Sequence, residues 1–184
     1  GLDRRISATK DAMQMAYQLR APIVTSRIGV VPSEPEGPRW ELFVETLTDL
    51  ARHGDRVGTV FAARTGSEDG ATLRRLLNEI PEGGIGVDFD PAALIINNFS
   101  ASESLAALGQ HVRQFRARDG VRDLAQGRGV ETPLGRGTAD FPALFGMLED
   151  FGFQGYYTID REESADPQTD IANAVKFLQA VYAG

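Results

Sequence analysis

The spacing of apolar residues switches repeatedly between helical and strand-like periods along this chain. In the first segment, residues 2–19, Ile6, Met13, Ala16, Tyr17 and Leu19 recur at helical spacing, and Pro22 closes the element. Residues 23–26 are a short β-branched run and predict a strand. A Pro/Gly/Glu loop at 31–38 follows, then a helix over 40–51 that Gly54 can terminate. The next strand and helix are predicted at 57–63 and 72–80, with Pro81 as the stop. Further strands are expected at 85–89, 112–117 and 155–159. Between them lie a helix at 102–108 capped by Ser102, a glycine-bearing loop at 118–138, and a helix at 141–151 opened by Asp140 and Pro142. A final helix covers 170–182.

Strand and helix alternate with no β-hairpin signature, so parallel strands joined by crossover helices are expected. Such strands should read as nearly continuous apolar runs, and these depart from that rule in a shared way. One parity is apolar: Phe61 and Ala63, Val87 and Phe89, Phe115 and Ala117, Tyr157 and Ile159. The other turns polar or charged towards the C-terminal end: Arg64, Asp88 and Asp90, Gln114 and Arg116, Thr158 and Asp160. Successive side chains point to opposite faces, so one face meets the helices and the other converges on a polar centre. A doubly wound sheet, covered by helices on both faces, has no use for charge on one parity. A barrel does, because its active site sits where the strands end. A complete (β/α)8 barrel takes about 250 residues, and only five strand–helix units follow the leading helix here. Residues 1–184 are therefore expected to form a single domain, part of a TIM barrel with three strands absent.

Composition narrows the partners. The chain has 184 residues, 42% hydrophobic and 24% charged, as in ordinary globular proteins. No apolar run approaches the roughly 20 residues of a bilayer crossing, and the opening residues 1–5 lead into no apolar stretch, so neither membrane association nor a signal peptide is expected. Nineteen basic against twenty-six acidic side chains give a net charge of −7, which disfavours nucleic acid. There is no cysteine and only two histidines, His53 and His111. A thiolate or histidine-rich metal site is excluded, and a reducing, cytoplasmic setting is expected.

The stretch 132–141, Thr-Pro-Leu-Gly-Arg-Gly-Thr-Ala-Asp-Phe, followed at 151–160 by Phe-Gly-Phe-Gln-Gly-Tyr-Tyr-Thr-Ile-Asp, resembles the xylose isomerase-like barrels of the sugar phosphate isomerase/epimerase family. That family shares its fold with endonuclease IV. Segments 61–66, 87–94 and 115–120 fit the ends of its fifth, sixth and seventh strands. The resemblance implies that the chain supplies strands four to eight, without the N-terminal three. It also implies a divalent cation held by Glu, Asp, His and Glu at the ends of strands five to eight, with a carboxylate relay beside a sugar carbonyl. Those four positions fall on Arg64, Asp90, Arg116 and Asp160. Guanidinium has no acceptor and stays protonated, so two of them cannot ligate metal. The family's position three after Asp90 is Ala93.

Removing a cation from converging carboxylates leaves uncompensated charge. Arg64 and Arg116 beside Asp90 and Asp160 would restore neutrality, so a salt-bridge network is expected in place of the metal, with no cofactor. Two readings of the arginines stay open: charge compensation, or binding of an anionic sugar or sugar-acid group. Asp90 and Asp160 are either their partners or a residual proton relay. Asp88 lies one layer deeper as a buried partner, Ser26 and Arg27 are placed at the mouth, and Arg118, Asp88 and Ser26 join Arg64 and Arg116 as the candidate ligand-binding residues. A hard-cation site from Asp88, Asp90, Asp160 and Glu162 is the metal-binding alternative. The Glu162–Glu163 pair reads as a solvated turn, the two histidines as structural, and Gly127–Gly129 and Gly135–Gly137 as loop-shaping rather than dinucleotide-binding. Two functions remain: an isomerase-like enzyme or binding protein for a small anionic sugar, with altered or lost metal chemistry, or a non-catalytic barrel for assembly or regulation. The missing strands are expected from an N-terminal segment or another chain, because an arc of strands leaves unpaired edges.

Overall fold

The computed structural model describes residues 1–80, 84–122 and 127–183. Helices α1 (Leu2–Gln18), α2 (Pro38–Val57), α3 (Gly70–Asn78), α4 (Pro91–Ile96), α5 (Ala101–Leu108), α6 (Phe141–Asp150) and α7 (Pro167–Ala183) alternate with strands β1 (Ile23–Ser26), β2 (Val60–Arg64), β3 (Gly86–Phe89), β4 (Val112–Ala117) and β7 (Tyr156–Ile159). The five strands are parallel, in the order β1-β2-β3-β4-β7. They curl through 204°, which makes the sheet a partial (β/α)8 barrel.

The apolar parity faces the helices as expected. Phe61, Val87, Phe89, Phe115 and Ala117 are all at most 3% exposed, and they pack with Leu47, Leu73, Leu105 and Leu148 of α2, α3, α5 and α6. Phe115 sits at the middle of an aromatic layer. Its ring lies 5.7 Å from Phe89, 5.5 Å from Phe145 and 5.6 Å from Tyr157. The contact with Phe145, at 69° between the ring planes, meets the positive rim of one ring with the negative face of the other. Burial keeps the Tyr157 hydroxyl well above its ordinary pKa, and Tyr182 adds to the effect.

Several local expectations change. Helix α2 does not stop at Gly54 but runs through it to Val57, and Gly58, at φ 80°, supplies the left-handed cap. Gly54 is needed for close approach, since a Cβ there would lie 2.6 Å from the Thr59 carbonyl oxygen. Helix α5 is capped by Ser100, whose hydroxyl accepts from the Glu103 N–H, rather than by Ser102. Helix α4, absent from the sequence reading, is opened by Asp90 and Pro91. Pro81 lies outside the described residues.

The loop at 118–138 is partly ordered into an antiparallel ribbon, β5 (Asp119–Val121) with β6 (Val130–Thr132), so the hairpin-free reading is corrected. Asp119 organises it. Its carboxylate accepts backbone N–H groups from Gly120, Gly135, Gly137 and Ala139 at 2.8–3.1 Å. A side chain at Gly137 would collide with that carboxylate, and one at Gly135, where φ is +79°, would meet the Phe177 ring; the two contacts together account for the Gly-Arg-Gly spacing.

The β1–α2 connection is tied to the β2–α3 connection by Glu68, which is 7% exposed. One carboxylate oxygen accepts the Val31 N–H at 3.2 Å, and the other is buried without a hydrogen-bond partner among the described residues. Burial pushes this carboxyl up to about 7, against the smaller opposing pull of the Val31 N–H. The folded value lies above the unfolded one, so the stabilisation is complete below the unfolded value of 4.5 and is lost as pH rises through about 7. Urea titrations should show stability falling by roughly 3 kcal/mol across that window. In Glu68→Gln this slope should disappear, and an unchanged slope in the variant would assign it elsewhere.

Candidate functional site

The polar parity of the strands faces the inside of the curl, and side chains at the C-terminal strand ends meet there. Arg116 of β4 is the hub. Its Nε donates to Asp88 Oδ2 of β3 at 2.7 Å, its Nη1 to Asp160 Oδ2 beyond β7 at 2.6 Å, and its Nη2 to Thr25 Oγ1 of β1 at 3.1 Å. One guanidinium thus spans the interior and links three strands. Arg64 approaches the same two carboxylates less closely, at 3.6 Å from Asp88 and 3.7 Å from Asp160, and hydrogen-bonds to Glu162 at 3.1 Å.

A second group adjoins the first. Asp90 is fully buried, and its two oxygens have separate tasks. Oδ1 caps α4 by accepting the Ala93 N–H at 3.0 Å, while Oδ2 accepts from Arg118 at 2.6 Å. Burial holds the Asp90 carboxyl above its ordinary value, opposed first by Arg118. For Arg118, burial works against the charge, but Asp90, Glu131 and Glu162 together hold its pKa above the ordinary value. Its Nε donates to Glu131 at 2.9 Å, and its Nη2 lies 3.2 Å from Glu162. Glu131 of the ribbon also pairs with Arg161 and accepts the Glu162 and Glu163 N–H groups.

Arg64, Arg116, Asp88 and Asp160 therefore stand together, and Arg118 with Asp90 lies beside them. The expected direct pairing of Asp90 with Arg64 and Arg116 is replaced by Asp88, because Asp90 has already left the strand to cap α4. Ser26 is not at this centre. It follows Thr25 on the opposite parity and lines a groove with Ile6, Phe43 and Leu47 of α1 and α2. The Glu162–Glu163 reading also changes: Glu162 pairs with Arg64, Arg118 and, at 3.9 Å, Arg27. Thr25, Glu131 and Arg161 were not singled out from the sequence. For Thr25 the signal was available, since it shares the inward parity of Arg64.

A curled parallel sheet with charged strand ends defines the barrel class, and comparison gives the family. The model of the xylose isomerase-like TIM barrel matches residues 1–181, and the chain belongs to that family. The xylose isomerase domain protein of Planctomyces limnophilus is 25% identical with a TM-score of 0.87, over 97% of this chain and 64% of that one. A D-tagatose 3-epimerase-like protein superposes with a TM-score of 0.77 at 15% identity, covering 97% of this chain and 68% of that one. A xylose isomerase-like TIM barrel protein from Mycobacterium smegmatis, in complex with magnesium, gives 0.77 at 14% identity, covering 98% and 68%. The chain thus spans about two thirds of these structures. No curated protein matches in sequence.

Asp88 is fully buried, so removing its closest cation strands a carboxylate in low dielectric. Arg116→Met should cost about 3–5 kcal/mol in urea denaturation, and the double variant Arg116→Met/Asp88→Asn should recover a large part. Equal losses in the single and double variants would show that the pair is not the source.

Proposed function

We propose that this chain is the C-terminal portion of a sugar isomerase/epimerase-type barrel that has exchanged metal-dependent chemistry for recognition of a small anionic sugar, such as a sugar acid. The carrying observation is the Arg116 guanidinium lying 2.7 Å from Asp88 and 2.6 Å from Asp160.

The donor set suits an ion-pair network better than a divalent cation. A cation needs several converging oxygens, and here guanidinium nitrogens stand between the carboxylates. Among the described residues no group of three or more His, Asp or Glu side chains is arranged to hold a metal. Asp160 is the carboxylate best placed for a residual proton-transfer role, since its side chain is 30% exposed. Asp90 has both oxygens engaged and no exposed surface.

The ligand side of the proposal rests on unequal use of the arginines. Arg116 is committed through all three nitrogens, which favours charge compensation. Arg118, although its three nitrogens are also engaged, lines a cleft of about 520 Å³ with Arg27 and Arg128, and Arg64 reaches the Glu162 wall of that cleft. An anionic group there would meet guanidinium donors that bind carboxylate in planar, two-point fashion. One buried Asp88 oxygen has no hydrogen-bond partner among the described residues and is left as an unfilled acceptor in the network.

A second reading, a non-catalytic barrel completed by further strands of the same protein or by another chain, is favoured by the sheet edges. Among the described residues β1 and β7 each pair on one side only, and such edges invite another strand.

Thermal unfolding in D-gluconate, neutral D-glucose and Mg²⁺ separates these functions. A ligand that binds only the folded state stabilises it, by about 2.7 kcal/mol at 100 times Kd. Gluconate should raise the Tm by several degrees and Mg²⁺ should leave it unchanged. Stabilisation by Mg²⁺ with no response to acids would contradict the proposal.

A further inference from the structure

Glu162 is gripped by guanidinium groups from three separate elements. Arg64, ending β2, lies 3.1 Å from its Oε1. Arg118, just past β4, lies 3.2 Å from Oε2, and Arg27, just past β1, lies 3.9 Å from Oε1. The two oxygens of one carboxylate are thereby taken by different arginines, which is how a free carboxylate would be seated.

Holder and guest differ in how firmly they are fixed. The Arg118 side chain is 3% exposed and is locked by Asp90 and Glu131. The Arg64 side chain is 16% exposed, and its distances to Asp88 and Asp160 exceed hydrogen-bond length, so Glu162 is its one hydrogen-bonded carboxylate among the described residues. Glu162, by contrast, is carried by the β7–α7 connection with its side chain 43% exposed. Glu162 is the more exposed partner in its pairs with Arg64 and Arg118, so water screens these pairs more than the buried pair of Arg118 with Asp90. The cleft lined by Arg27, Arg118 and Glu162 opens directly beside it.

We propose that Arg27, Arg64 and Arg118 form a carboxylate-binding seat whose resident occupant is Glu162, and that a small hydroxylated carboxylic acid binds by displacing it. This deepens the anionic-ligand reading above and rests on it, adding the seat, the ligand class and a built-in competitor. Displacement exchanges one carboxylate for another, so the arginines are never left unpaired. The tethered group reduces the apparent affinity by the fraction of molecules in which the seat is vacant.

Calorimetric titration with D-gluconate, and with inorganic phosphate as a second probe, tests this on wild type, Glu162→Gln, Glu163→Gln and the double variant Glu162→Gln/Arg64→Met. Glu162→Gln should bind gluconate at least tenfold more tightly than wild type. Glu163→Gln removes the same charge one residue along without vacating the seat, and should stay within twofold of wild type. The double variant should lose the gain. If wild type binds gluconate and Glu162→Gln binds it equally or more weakly, the competitor role is overturned while the anionic-ligand reading stands. An equal gain in Glu163→Gln would reduce the effect to general charge and overturn the seat. A gain for phosphate without one for gluconate overturns the carboxylate assignment. Binding of neither probe by any variant removes this inference together with the reading beneath it.

Discussion

Charge neutrality inside the curled sheet is the condition on which the rest of this structure depends. Five parallel strands send their inward parity to one region, and that region holds fully buried carboxylates. Carboxylates confined away from water require compensation. Arg116 provides it from β4, reaching Asp88, Asp160 and Thr25 with its separate nitrogens. Because those partners sit on or beside β3, β7 and β1, the same contacts that neutralise the interior also fix the relative position of strands that do not neighbour one another. A shift of one residue in β4 would send Arg116 towards the helices and Phe115 inward.

The loops at the strand ends follow the same rule. Asp90 leaves β3 to start α4 and passes its remaining oxygen to Arg118, which turns to Glu131 on the ribbon. Glu131 accepts the backbone of the β7–α7 connection, and Arg161 of that connection returns to Glu131 and Asp170. The Asp170 carboxyl is lowered by its hydrogen bonds from Ser164 and Arg161. Alternating charge therefore runs from the strand ends into the start of α7, with Glu162 as its most exposed carboxylate. That gradation, from locked pairs to an exposed one, divides structural charge from charge that a ligand can reach.

Much of this was legible in the sequence because it rests on period-two alternation. Arg64, Asp88, Arg116 and Asp160 share one parity, and parity alone brings them to one face. Segments that resemble the family placed them at strand ends. What alternation does not carry is the behaviour of the chain once a strand has finished. Asp90 was assigned inward with Asp88, although Asp-Pro also reads as a helix start, and the helix took it. Ser26 is expected at the mouth as the last residue of its strand, but it is the preceding Thr25 that holds the inward parity and meets Arg116. The ribbon at 118–138 depends on Asp119 collecting four N–H groups from distant positions, a long-range arrangement without a local period. Glu162 looked like a solvated turn for the same reason: its partners lie 35 or more positions away for all but one of its contacts in chain order, on other strands.

Fixed guanidinium groups are proposed above to occupy the place of a cation. Anomalous diffraction from Mn²⁺-soaked crystals examines it most directly. The expected result is no manganese peak between Asp88 and Asp160, with the Arg116 guanidinium bridging both. A peak coordinated by those two carboxylates, with Arg64 and Arg116 swung out to solvent, would contradict it.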